Sequence, residues 1–120
     1  MINMYRLKGR EAFERVFREG QSWATPLLVV RASPNDSPHS RIAFSTSKRL
    51  GAIVARNRLK RRLREAARLT SFVSGWDIVL IAREASRTAT FAQLTQALQD
   101  LLRRADLAAV TDSHTETSML

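Results

Sequence analysis

The chain has 120 residues, about the length of one domain, and its 20 Lys and Arg residues outweigh 11 Asp and Glu residues to give a net charge of +9. The lack of cysteine excludes disulfides, thiolate metal ligands and cysteine nucleophiles. The sequence has no apolar run near the ~20 residues of a membrane span and no signal-peptide core, so we expect a cytoplasmic protein. Its positive charge suits a polyanionic partner, usually nucleic acid.

The first predicted element is a short amphipathic helix over about residues 9–19. Phe13, Val16 and Phe17 have the i, i+3, i+4 spacing of an apolar helix face, with charged residues between them. Gly20 follows in the position of a helix C-cap.

Two strands are predicted next. Residues 26–31 form a brief apolar, β-branched run. In residues 41–47, Ile42, Phe44 and Thr46 alternate with small residues, as in a strand. We expect these strands to pair with each other. The segment between them contains Pro34 and Pro38 around an Asn-Asp pair, which predicts a turn or loop.

The C-terminal half predicts helix, strand, helix. A helix is predicted over about residues 53–69, and residues 76–83 are apolar on both faces, as in a central strand. Thr90 and Gln93 form a capping-box pattern at the start of a last helix. Residues 106–120 have no basic residue and no periodicity, so we expect a disordered tail.

These elements predict an α/β (α+β) sandwich, in which helices pack on a small mixed sheet in the order α-β-β-(β)-α-β-α. The domain is predicted to span residues 1–105.

The excess positive charge lies in one segment. Residues 48–68 contain nine basic residues and one acidic residue, whereas the rest of the chain has eleven basic and ten acidic residues. The nine are Lys48, Arg49, Arg56, Arg58, Lys60, Arg61, Arg62, Arg64 and Arg68. Most of the field that would attract a polyanion therefore comes from this segment.

Apolar residues and cations occupy different faces of the helix predicted here. The apolar arc, suited to packing on a sheet, consists of Ala52, Ala55, Leu59, Leu63, Ala66 and Thr70. Beside it, Arg56, Lys60, Arg64 and Arg68 form an i, i+4 row, and Asn57 on the same side offers an amide to a base edge or a 2′-hydroxyl. Successive members of this row are ~6 Å apart, which is close to the spacing of phosphates along a nucleic-acid strand.

Two other interpretations of this helix remain open. A solvated charged face is one, although alternating Glu residues would remove the repulsion between stacked cations. A membrane-surface helix is the other, although the apolar arc holds no Trp or Phe and suits a sheet better than a bilayer.

Residues 47–68, SKRLGAIVARNRLKRRLREAAR, resemble the signature of the bacterial ribonuclease P protein family, in which Ser-Lys-Lys/Arg and Gly lead into an Arg-Asn-Arg helix. The resemblance covers residues 5 to about 104. It includes Arg6-Leu7-Lys8, then Phe13 with Val16 and Phe17, then Arg41-Ile42 with Ser45, and the run from Asp77 to Arg83.

The resemblance implies a protein subunit that binds a catalytic RNA and the 5′ leader of precursor tRNA and promotes endonucleolytic removal of the leader. It also implies a left-handed βαβ crossover, against the usual right-handed rule. The implied partners are the RNA subunit and precursor tRNA, with no membrane and no small-molecule substrate. No catalytic residue, metal or cofactor is expected on the protein, and Mg²⁺ is expected through the RNA.

The family pattern assigns two sets of site residues. The RNA-binding set is Lys48, Arg49, Arg56, Asn57, Arg58, Lys60, Arg61, Arg64 and Arg68. The set for the leader-binding cleft is Phe13, Phe17, Arg6 and Ser45, in which the two rings either stack on bases or belong to the ordinary helix core.

Two positions depart from the family pattern. Ala52 stands where a polar residue would cap the helix, and Arg31 stands where relatives present an aromatic ring. The first departure predicts an uncapped helix, and the second predicts a cleft that uses more charge and less stacking.

Other function classes are weaker. A protein nuclease acting alone would need a gathered acid/base pair or metal ligands, yet His39 lies in the loop and His114 in the tail. A ribosomal or RNA-chaperone protein is the main alternative. A helix-turn-helix DNA-binding protein is less suitable, because strands rather than a partner helix flank the basic helix.

Overall fold

A computed structural model describes residues 4–107. The strands are β1 (Met4–Arg6), β2 (Gln21–Ala24), β3 (Leu28–Pro34), β4 (Ser40–Ser45) and β5 (Trp76–Ala82). The helices are α1 (Arg10–Glu19), α2 (Ile53–Arg68) and α3 (Phe91–Arg104). Short 3₁₀ turns, Lys48–Leu50 and Glu84–Thr88, precede α2 and α3.

The five strands form one mixed sheet in the order β1-β4-β5-β3-β2. β4 is parallel to both β1 and β5, whereas β3 is antiparallel to both β5 and β2. The predicted α/β sandwich with a small mixed sheet is therefore confirmed, and β5 is the central strand, as its two apolar faces predicted.

The predicted pairing of β3 with β4 is wrong. β5 lies between them and forms hydrogen bonds with both. The physical reason is the burial of β5: residues 77–80 are all buried, so this strand needs a neighbour on each edge and a helical layer on each face.

Helices cover both faces of the sheet. α2 and α3 pack on one face, where Leu63, Ile78, Leu80 and Leu98 belong to the larger core. α1 packs on β3 and β5 from the other side, around a smaller cluster that includes Val16. The chain passes from β4 through α2 to its parallel neighbour β5, which is the βαβ unit to which the family resemblance assigns a left-handed crossover.

The helix ends agree with the sequence analysis. Thr90 and Gln93 form the predicted capping box of α3, with each side chain accepting a hydrogen bond from the other's backbone N–H. Ala52 is the N-cap residue of α2 and provides no side-chain hydrogen bond, as expected for this departure.

Gly20 ends α1 for a reason that differs from the usual left-handed cap. Its backbone is extended, with φ −81° and ψ 171°. A Cβ atom at this position would overlap the carbonyl oxygens of Val16 and Ala32. Glycine therefore permits α1 to approach β3 closely.

The packed domain extends to Leu107, two residues past the predicted boundary. Leu107 is fully buried, and its carbonyl oxygen accepts a hydrogen bond of 2.8 Å from the backbone N–H of Val73. The remainder of the predicted tail lies outside the described residues. Among residues 4–107, no helix is long and apolar enough to cross a membrane.

Candidate nucleic-acid interface

α2 buries one face and presents its cations on the others. Leu59, Leu63 and Ala66 are buried against the sheet and α3, as their spacing predicted. Ala52 and Ala55 are exposed, so the predicted packing arc is wrong at its N-terminal end. The first turn of α2 extends beyond the core, which leaves it free to approach a ligand.

The row of cations along α2 has a different environment at each end. The Arg56 Nε donates to the carbonyl of Gly51 at 3.2 Å, which fixes this side chain against the loop before the helix. At the other end, Arg68 forms an ion pair with Glu65, which raises the pKa of Arg68 and lowers that of Glu65. Arg68 therefore adds little net charge to the row.

Lys60 and Arg64 form the middle of the row and line a groove beside the edge of the sheet. The groove has a volume of about 470 Å³ and includes Phe44 of β4. The Arg64 guanidinium lies 5.7 Å from the centroid of the Phe44 ring, a cation–π contact that orients it.

The rest of the predicted RNA-binding set surrounds this row. Lys48 and Arg49 lie in the exposed 3₁₀ turn, which the Ser47 hydroxyl caps by accepting from the Arg49 N–H at 3.3 Å. Asn57, Arg58 and Arg61 are exposed on α2. The structure thus brings the whole predicted set to one helix and the turn that precedes it.

Phe13 and Phe17 lie on the opposite face of the sheet and have unequal exposure. Phe13 is partly buried against the small cluster around Val16 and Val79. Phe17 is 40 % exposed, and its ring centroid is 5.0 Å from that of Phe13. The two rings form a continuous apolar surface that is open to solvent at Phe17.

Arg31 forms the floor of this surface. Its guanidinium carbon lies 5.2 Å from the centroid of the Phe17 ring, and its Nη2 donates to the carbonyl oxygens of Phe17 and Gly20 at 2.8 and 3.2 Å. Arg31 therefore holds the C-terminal end of α1 on β3 and places a cation under the exposed ring.

The other two residues predicted for the leader-binding cleft do not share one surface. Ser45 is in register with Ile81, whose side chain packs in the α1 cluster, so Ser45 faces the same side as Phe13. Arg6 is in register with Ile42, which belongs to the core under α2. Arg6 consequently lines the groove beside α2 rather than the surface at Phe17.

Sequence reasoning missed a buried carboxylate at the start of β5. Asp77 is fully buried and accepts two hydrogen bonds from Arg41, at 2.8 and 2.7 Å, and one from the Asn35 amide at 2.8 Å. The hydrogen bonds from Arg41 to Asp77 raise the pKa of Arg41. The sequence shows Asp77 only as an acid at the start of an apolar strand. Its partners, Asn35 and Arg41, are distant in sequence, so no local motif reveals the cluster.

A model of the Ribonuclease P family matches residues 1–106. The chain belongs to the Ribonuclease P family. Within residues 4–107, a metal-binding cluster of three or more His, Cys, Asp or Glu side chains does not occur.

Relatives and solved structures support the family assignment over nearly the whole chain. The chain is 45 % identical to the Ribonuclease P protein component of Roseiflexus sp. (strain RS-1) over 116 residues, 94 % of this chain and 95 % of that protein. It is 39 % identical to that of Dehalococcoides mccartyi (strain CBDB1) over 110 residues, 92 % of each chain.

Ribonuclease P proteins also share the fold. The Staphylococcus aureus protein matches with a TM-score of 0.78 and 32 % identity, over 88 % of this chain and 98 % of that one. The Thermotoga maritima protein matches with a TM-score of 0.74 and 31 % identity, over 82 % and 96 %. These matches support a ribonuclease P protein component over a ribosomal or RNA-chaperone protein.

Proposed function

We propose that this chain binds the RNA subunit of ribonuclease P through α2 and binds the 5′ leader of precursor tRNA on the α1 face, promoting removal of the leader. The observation that carries the proposal is the concentration of cations on α2 and the preceding turn. Nine basic residues lie within residues 48–68, and Glu65 is the one acid among them.

The basic surface suits a folded RNA. Lys60 and Arg64 line a groove, and Arg58 and Arg61 are exposed on the same helix, so several phosphates can be contacted at once. The exposed amide of Asn57 adds hydrogen bonds to a base edge or a 2′-hydroxyl.

The α1 face suits a single-stranded leader. The exposed ring of Phe17 provides a platform on which a base can stack, and Arg31 beneath it favours a nearby phosphate. Ser45 lies on the same side and offers a hydroxyl. Because none of these groups reads a base edge by a fixed pattern, binding should depend on the presence of a leader more than on its sequence.

In this proposal the RNA subunit supplies the catalytic chemistry and binds the Mg²⁺ ions. Asp77 is buried and occupied by Arg41 and Asn35, so it does not serve as a free general base. The protein positions the RNA and the leader, and its cations stabilise the folded RNA.

The test is assembly with a ribonuclease P RNA after simultaneous replacement of Arg56, Lys60 and Arg64 by Ala. Ala is a strong helix former and these side chains lie off the packing face, so the circular dichroism spectrum should stay native. Affinity for the RNA should fall by at least about two orders of magnitude, since each phosphate contact contributes to counterion release.

The matched control removes three cations that lie outside α2 and the turn before it. Arg83, Arg103 and Arg104 lie after β5 and at the end of α3, so the triple Ala variant loses the same net charge elsewhere. Equal loss of RNA affinity in the two variants would contradict the proposal, because it would show that total charge rather than the α2 surface controls binding.

A further inference from the structure

A second depression lies at the outer edge of the sheet, next to strand β1. It has a volume of about 380 Å³ and is lined by Tyr5, Arg6, Lys8, Ser37, His39 and Arg41. Its size is within the ~300–1,000 Å³ of pockets that hold small ligands. It shares Tyr5 and Arg6 with the groove beside α2, and its lining includes neither Phe13 nor Phe17.

An aromatic pair forms one wall of this depression. The ring centroids of Tyr5 and His39 are 4.4 Å apart, with planes inclined at 38°. Tyr5 is nevertheless 47 % exposed, so part of its ring remains open. Exposed aromatic rings fixed by a neighbouring ring are the platforms on which proteins stack unpaired bases.

The charge of the depression suits a phosphate. Its lining includes three cations, Arg6, Lys8 and Arg41, and no carboxylate. Asp77 behind it accepts two of the five N–H groups of Arg41, which fixes the guanidinium and leaves other donors for an outside oxygen. The Nη2 atom of Arg15 also lies 4.0 Å from the Oδ2 atom of Asp77. Two guanidinium groups therefore face this one carboxylate, and the local charge stays positive.

The depression is continuous with the groove beside α2. Tyr5 and Arg6 of β1 line both, so cations extend from Lys8 across the sheet edge to Lys60 and Arg64. A strand of RNA held on α2 can therefore reach the Tyr5 ring without leaving a positively charged surface.

We infer that this depression binds one unpaired nucleotide of RNA, whose base stacks on Tyr5 beside His39 and whose phosphates contact Arg6, Lys8 and Arg41. The inference extends the proposed function, on which it rests for the identity of the ligand as RNA. It adds a nucleotide site at the edge of the sheet, next to the groove beside α2, with which it shares Tyr5 and Arg6.

Photocrosslinking locates the nucleotide directly. The intact chain is irradiated with a nonamer of 5-bromouridine, and the adducts are mapped after digestion with trypsin, which places Tyr5 in peptide 1–6 and His39 in peptide 32–41. Phe17 falls in the separate peptide 16–18. We expect adducts on peptides 1–6 or 32–41, and adducts confined to peptide 16–18 would overturn the inference.

Affinity measurements test the stacking. Tyr5→Ala should weaken binding of a fluorescein-labelled uridine nonamer by about tenfold, whereas Tyr5→Phe, which keeps the ring, should stay within about twofold of the parent. A nonamer with abasic riboses should bind both variants equally. Native circular dichroism of Tyr5→Ala establishes that the fold is intact, and equal nonamer affinity in all three proteins would overturn the inference.

The outcomes separate this site from the proposed function. If Tyr5→Ala changes nothing while the Arg56, Lys60 and Arg64 triple variant loses the RNA subunit, the nucleotide site is refuted and the function of α2 is retained. If the triple variant also assembles normally with the RNA subunit, the proposed function itself fails.

Discussion

Phe13 and Phe17 are one turn apart on α1, yet they have different neighbours. Phe13 packs on the small core under α1, and Phe17 is open to solvent above Arg31. The i, i+4 spacing predicts a shared face but not which ring the sheet covers. The two side chains therefore give opposite responses to truncation.

We predict that Phe17→Ala weakens binding of precursor tRNA by ~1–3 kcal/mol, through loss of stacking, with a much smaller change in unfolding free energy. Phe13→Ala should instead lower the unfolding free energy by up to ~3–5 kcal/mol through the cavity that it leaves. Urea denaturation and binding of precursor and mature tRNA check both variants. A precursor-selective defect in Phe13→Ala alone would contradict this assignment.

Arg31 is a residue whose structural role the sequence did not show. In the sequence, Arg31 is only a cation at a position where the family pattern has an aromatic ring. In the structure, its guanidinium donates hydrogen bonds to two carbonyls at the end of α1. These carbonyls lie 14 and 11 residues away, so no local pattern reveals them.

Arg31→Met should therefore lower the unfolding free energy by ~1.5–3 kcal/mol, the usual contribution of hydrogen bonds to a charged group. Urea denaturation measures the change. Arg83→Met is the matched control, because Arg83 is exposed and donates to one carbonyl, that of Thr25 at 3.2 Å. Equal losses in the two variants would show that Arg31 does not anchor α1.

At the scale of elements, periodicity and capping patterns predicted α1, α2, α3 and β5 within a few residues. They did not predict β1, which has three residues and pairs with β4 across more than thirty positions of sequence. Arg6 lies on β1, so the side of the sheet that its side chain occupies depends on the register of β1 with β4. The family resemblance alone therefore assigns Arg6 to the cleft with Phe13 and Phe17.

α2 begins without a side-chain cap, so the N-cap position offers a stabilising substitution. Ala52→Asn should raise the unfolding free energy by about 1 kcal/mol, because its side chain can accept from a free N–H of the first turn. The control is Gln96→Asn, at an exposed position in the middle of α3, where Asn should cost a few tenths of a kcal/mol. Loss of stability in both variants would contradict the uncapped start of α2.

For the whole molecule, the distribution of charge predicts how binding responds to salt. Five to seven phosphate contacts should give a slope of roughly −4 to −6 in a plot of log affinity against log salt concentration, at ~0.7–0.9 per contact. Filter binding of a ribonuclease P RNA at several KCl concentrations measures it. A slope shallower than about −2 would show that the α2 surface is not the main contact.

Reconstitution shows whether this protein promotes leader removal, using the ribonuclease P RNA of Roseiflexus sp. (strain RS-1), whose protein component is 45 % identical to this chain. The rate of 5′ leader removal from precursor tRNA is measured at limiting Mg²⁺ with the RNA alone, the protein alone and both together. We predict no cleavage by the protein alone and a higher rate with both than with the RNA alone. An unchanged rate on addition of the protein, or leader removal by RNA-free protein, would contradict the proposed function.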